Sequence, residues 1–196
     1  MGQIIIRATE EVLGQAGFNA ILNIASLSGF ADLSYSPESE HGVSFQQIGL
    51  IQQALESVYG PRGGRGVALR IGRACFRYGL REYGRQLGLT QTAFRLLPFH
   101  TKISSGGRIF AEFFNQQTDQ RVRFEEKEGF FYWHIDRCPL CWEHHSDEPS
   151  CHLAVGLLQE SLYWLSSGKI FNVEEISCIA CGDPSCTILI DQAPIA

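Results

Sequence analysis

Glu175-Ile-Ser-Cys178-Ile-Ala-Cys181-Gly-Asp-Pro-Ser-Cys186-Thr-Ile-Leu-Ile190 is the stretch on which the fold of this chain turns. Its centre, Gly182-Asp183-Pro184-Ser185, has turn chemistry, and apolar β-prone residues lie on both sides. Two strands are predicted, Ile170–Ile179 and Thr187–Asp191, joined by that turn. A strand end beside a tight turn is where backbone curvature brings several thiolates onto one ion. Upstream, Cys138, Cys141 and Cys151 complete a group of six cysteines between positions 138 and 186, while Cys75 stands apart. In a chain without a secretion signal, such clustering points to metal ligation rather than disulfides, because the cytosol keeps thiols reduced. Zinc, which takes N and S ligands in a closed tetrahedron at structural sites, is the expected cofactor.

Two ligand sets fit the spacing. One joins the pairs Cys138/Cys141 and Cys178/Cys181, as in a zinc ribbon; the other uses Cys151, Glu175, Cys178 and Cys186. Residues three apart on a strand point to opposite faces, so Glu175 and Cys178 share an ion only if the chain bends between them.

Outward from this cluster, Leu153–Leu165 has helical spacing and closes at Gly168. Before it, Arg121–Glu125 alternates as a strand does, and Phe130–Asp136 is aromatic and β-prone, with Lys127-Glu128-Gly129 as the hairpin turn. The first half reads as helices: Ile6–Gln15, Phe18–Leu27, a helix capped by Ser44 and running to Tyr59, another after the joint Gly60–Gly66, then Thr90–Leu97 and Gly107–Gln117. Ala31–Gly42 has the composition of an exposed loop. Hairpin-joined strands make an antiparallel sheet, so the class is α+β. The organisation predicted is a single domain, with residues 1–117 mainly helical and 118–191 a hairpin, a helix and a second hairpin carrying the cysteines.

The Glu, the Cys three residues on, the Gly182-Asp183 turn, Cys186 and the final apolar strand resemble the closing signature of the 4-vinyl reductase domain family. Trp133 followed by Cys138-Pro-Leu-Cys141 looks like its bacteriochlorophyll 4-vinyl reductase branch. The resemblance implies helices packed on one side of a twisted antiparallel sheet of about four strands, shared with the TRAPP vesicle-tethering subunits, often as a homodimer. It implies a zinc quartet of Cys151, Glu175, Cys178 and Cys186, with Cys138, Cys141 and Cys181 as alternative ligands. It also implies a hydrophobic small-molecule ligand: a hydrocarbon, an aromatic or a tetrapyrrole such as a chlorophyll precursor. The alternatives are a tethering-type assembly protein and an accessory to tetrapyrrole vinyl reduction.

The residues offer material for such a site. Phe110, Phe113, Phe114, Phe130, Tyr132 and Trp133 are candidates to line an apolar cavity, with His100 and His134 to orient a polar group or ligate a tetrapyrrole metal. Trp133 and His134 are strand neighbours and face opposite ways, so at most one of them meets the ligand. No dinucleotide fingerprint is present, so an enzyme is the weaker reading. Arg70, Arg73, Arg77, Arg81 and Arg85 fall on one helical stripe, a candidate surface for an acidic partner or an anionic membrane. The net charge of −5 argues against nucleic acid. No apolar run approaches the roughly 18–20 residues of a membrane span, so the expected place is the cytoplasm, at most peripheral to a membrane.

Overall fold

A computed structural model describes residues 2–28 and 42–195; the loop expected over Ala31–Gly42 lies, except for Gly42, outside them. Its elements run α1 (Gly2–Ile24), α2 (Phe45–Tyr83), α3 (Thr92–Arg95), α4 (Phe99–Gln117), β1 (Arg121–Lys127), β2 (Phe130–Arg137), α5 (His152–Leu165), β3 (Val173–Ser177) and β4 (Cys186–Asp191). The class is α+β, as the sequence predicts.

The four strands form one antiparallel sheet in the order β1-β2-β4-β3. Glu128 and Gly129, both at positive φ (55° and 82°), close the β1–β2 hairpin as a two-residue turn of the kind that matches strand twist. Alternation then sorts β2: Phe131, Trp133 and Ile135 are buried, while Phe130, Tyr132 and His134 are half-buried on the opposite face. Register places Trp133 against Ile188 and Ile135 against Cys186. The cysteine end of β4 therefore lies beside the end of β2 from which Cys138 follows.

Helix α2 begins at a capping box, in which Ser44 Oγ accepts from Gln47 N at 3.2 Å and Gln47 Oε1 accepts from Ser44 N at 2.8 Å. The flexible joint expected over Gly60–Gly66 is corrected. A single kink at Gly60 (φ 68°, ψ 171°) is followed by Pro61, which suits a helix start, and the chain stays helical to Tyr83. The helix expected from Gly107 begins eight residues earlier, at Phe99, behind Pro98.

Helices α2 and α5 form the largest helix–helix interface. They meet backbone to backbone: a Cβ on Gly72 would run into Leu153 O and sit 2.7 Å from Leu157 N, and one on Gly156 would run into Leu69 O. This contact seats α5, and with it Cys151 at its N-terminus, against the core.

The arginine stripe of α2 is exposed. Arg77 reaches Glu11 of α1 at 3.1 Å and Glu160 of α5 at 3.5 Å, and Arg73 donates to Gln159 at 2.8 Å. Arg81 lies over the Tyr78 ring. Part of the expected partner surface is thus engaged with the protein's own helices. Such exposed pairs contribute about 0–1 kcal/mol each. Among the described residues no helix is long and apolar enough to cross a membrane.

Candidate functional site

The sequence around Cys178 folds as a compact knuckle. β3 carries a register shift between Glu175 and Ser177, the bend that Glu175 and Cys178 need to share one site. The chain then makes a 3-10 turn, Ile179–Cys181, and passes through Gly182 at φ 95°. Asp183 Oδ2 accepts from Cys178 N at 2.8 Å, and Cys186 Sγ accepts from Ile179 N at 3.3 Å. The turn rotates Cys181 outward, where it is exposed.

Five buried thiols converge here. Cys151 Sγ lies 3.5 Å from Cys138 Sγ, 3.5 Å from Cys186 Sγ and 3.9 Å from Cys178 Sγ, and Cys141 Sγ lies 3.3 Å from Cys186 Sγ. None is in a disulfide. Two groups bring ligand atoms within 4.8 Å of one another: Cys151, Glu175, Cys178 and Cys186, and Cys138, Cys141, Cys151 and Cys186. The first is the quartet implied by the family resemblance. The ribbon pairing of Cys138/Cys141 with Cys178/Cys181 is not formed, because Cys181 is turned away.

Glu175 is held by one oxygen and orphaned at the other. Its Oε2 accepts from Cys151 N at 2.8 Å, while Oε1 is buried and has no partner among the described residues. Burial, with the Cys178 sulfur beside it, pushes this carboxyl up to about 9. Among the sulfurs, hydrogen bonding from Cys138 and then from Cys151, Cys178 and Cys186 holds Cys141 well below the usual thiol range. Cys151, bonded foremost to Cys138, is pushed up. Crowded thiols, two of them (Cys141 and Cys178) held toward the thiolate, beside an unpaired buried carboxyl oxygen are donors of the kind a soft cation takes.

Beside the cluster lies a cavity of about 510 Å³ between α1, the start of α2, α5 and β2. Of the residues the sequence nominates, Phe114 and Trp133 line it, their rings 6.0 Å apart and edge to face. The other six are corrected. Phe110 and Phe113 pack between α2 and α4, around a crevice of about 30 Å³, against Phe76 and Tyr83. Phe130, Tyr132 and His134 have the wrong strand parity and face away from the cavity, Tyr132 stacking on His134. His100 is exposed and sits 2.6 Å from Glu126 Oε1.

Sequence reasoning missed Phe45, Arg137 and Trp142, which also line the cavity. Arg137 shares the parity of Trp133 and Ile135, a signal present in the sequence. Phe45 opens the helix that Ser44 caps, three residues before the buried Ile48, so helical spacing offered a signal there too; Trp142 lies in a turn with no period that would have marked it.

His134 sits 3.1 Å from Thr187 Oγ1, and burial, reinforced by Arg123, holds its imidazole below the ordinary 6.5. A lowered folded-state value gives stability that is present above about pH 6.5 and lost as pH falls through the folded value. Wild-type protein is expected to lose more of its urea midpoint between about pH 7.5 and about pH 5 than His134→Gln. Equal losses in the two proteins would assign the effect to another group.

Neither a protein-family profile nor a curated protein sequence matches this chain. Solved structures do. An H-NOX protein from S. oneidensis in the Fe(II)NO ligation state is 13% identical at a TM-score of 0.57, over 97% of this chain and 98% of that one. An unliganded Fe(II) H-NOX protein from K. algicida is 15% identical at 0.57, over 97% and 96%. The phenol-responsive sensory domain of the transcription activator PoxR is 18% identical at 0.56, over 83% and 88%.

These neighbours correct two expectations. The family resemblance is overturned: the fold is that of H-NOX domains and a phenol-sensing domain, not of a 4-vinyl reductase. The assignment of zinc as cofactor is likewise withdrawn, since the metal named among these neighbours is iron, with heme and a distorted porphyrin named for a further one. Heme itself does not suit the residues present. Among the described residues no histidine lines the cavity, and the thiol that does, Cys75, is pushed up to about 12 by burial and stays protonated. The likeness at this identity is one of fold: helices on a four-stranded antiparallel sheet, in the arrangement of the H-NOX domains.

Proposed function

We propose that this chain is a small-molecule-binding sensory domain. Its cavity takes an apolar aromatic or hydrocarbon ligand, and its thiol cluster holds a metal ion that fixes the cavity wall. One observation carries the reading. Pro139 and Leu140, between Cys138 and Cys141, line the cavity, and so do Leu153 and Ala154, two and three residues after Cys151. A ligand that displaces those segments pulls on sulfur donors, so occupancy of the cavity and geometry of the cluster are coupled.

The cavity's size supports this, since small-molecule sites typically span about 300–1,000 Å³. The phenol responsiveness of the PoxR domain on the same fold supports it too. In the cluster, Cys151, Cys178 and Cys186 would supply thiolates and Glu175 its unpaired Oε1, a set suited to a thiophilic d-block ion.

The test is to fill the cavity. Leu158 is buried and lines it. Leu158→Trp is expected to weaken 2-naphthol binding, measured by calorimetry, by about tenfold or more, roughly 1.4 kcal/mol. Failure of wild-type protein to bind 2-naphthol at all would sink the reading.

A further inference from the structure

We infer that the ligand selected by this cavity carries a carboxylate on its aromatic body, and that Arg137 is the residue that recognises it. The inference deepens, and rests on, the cavity reading above.

Arg137 is the one cation among the described residues lining the cavity, and it sits at the rim, exposed. Its guanidinium carbon is 5.2 Å from the Phe45 ring centroid and 5.5 Å from that of Trp142. Those two rings meet edge to face at 5.3 Å, and both line the cavity. Stacking on aromatic faces holds a guanidinium in place while leaving its in-plane N–H donors available.

Those donors are unused. Among the described residues Arg137 makes no ion pair and no side-chain hydrogen bond, although Asp119 lies on the same rim. Its cross-strand partner is another cation, Arg121. The hairpin's other arginine shows the contrast: Arg123, facing away from the cavity, is closed off by Asp136 at 2.9 Å and Glu125 at 2.6 Å. A planar fork of donors beside aromatic walls fits a carboxylate bidentately. The interior, lined by Phe114, Trp133, Ile135 and Leu158, takes the apolar body.

The experiment compares 2-naphthylacetate with its neutral analogue of matched size, 2-(2-naphthyl)ethanol, by calorimetry on the full chain and on Arg137→Gln. An unchanged urea midpoint confirms that the variant is folded. The wild type is expected to prefer the carboxylate by about tenfold or more. In Arg137→Gln that preference disappears while affinity for the alcohol is unchanged. Equal binding of the two by the wild type, or a preference that survives in the variant, overturns the inference and leaves the cavity reading intact. Binding of neither overturns both.

Discussion

Gly156→Ala is expected to destabilise the protein by about 3 kcal/mol, at the upper end of what overpacking a well-filled interior costs. A single methyl there would run into Leu69 O and lie 2.8 Å from Leu69 C and Cα. These are backbone atoms of a helix, which cannot swing aside as a side-chain tip can. The helices must separate, and separation also strips apolar contact from Ala68, Ile71, Val155 and Leu158, all buried near the crossing. Gly72→Ala, which meets Leu153 O and Leu157 N from the other side, is expected to match it. Urea unfolding of both variants is the measurement. A loss below about 1 kcal/mol in both would mean that α2 and α5 are not packed this closely.

If the cluster holds the proposed metal, Cys151→Ser is expected to abolish metal binding and to lower the melting temperature by about 10 °C or more. Where a metal site forms only in the folded chain, its binding free energy is folding free energy. Losing even about 4 kcal/mol of it corresponds to roughly 10 °C in a chain of this length. Cys151 is chosen because it belongs to both candidate quartets, and Cys186, the other shared member, should behave alike. Elemental analysis then separates the quartets: Cys178→Ser abolishes metal binding if Glu175 and Cys178 are ligands, and Cys138→Ser does so if the all-cysteine group is. Unchanged metal content in Cys151→Ser and Cys186→Ser would rule out both quartets. A chain that purifies without metal would remove the metal from the proposed function.

These two predictions rest on features of different legibility. The cysteine crowding is plain in the sequence, and so is the need for a bend between Glu175 and Cys178, which the register shift in β3 supplies. The Gly72–Gly156 contact is not legible. Each glycine alone reads as a weak helix position, and only the crossing of α2 and α5 makes a missing Cβ necessary.

Family and cofactor were the readings that failed. Most of the residues that carried the resemblance, Glu175 to Ile190, form the knuckle and the strand beyond it, a local structure, and the rest, Trp133 and Cys138 to Cys141, lie in and just after β2. A local motif reports the turn that it builds, not the cavity some residues away, and the likeness of fold spans nearly the whole chain. The aromatic candidates failed for a related reason. Phe130, Tyr132 and Trp133 have the same chemistry, but strand parity sends only Trp133 to the cavity.

By itself the sequence determined what depends on neighbours along the chain: the α+β class, the two hairpins, the Ser44 cap, and the knuckle with its three cysteines. Those follow from periodicity, turn chemistry and spacing over a few residues. Tertiary structure alone decided which distant residues meet. Pairing of Ile135 with Cys186 carries Cys138 and Cys141 to the other thiols, and seating of α5 on α2 brings Cys151 among them. The same pairing carries Arg137 to the cavity's rim, where Phe45 and Trp142 from other segments hold it. Contacts across many residues are fixed by sheet register and helix packing, quantities that no single stretch of sequence encodes.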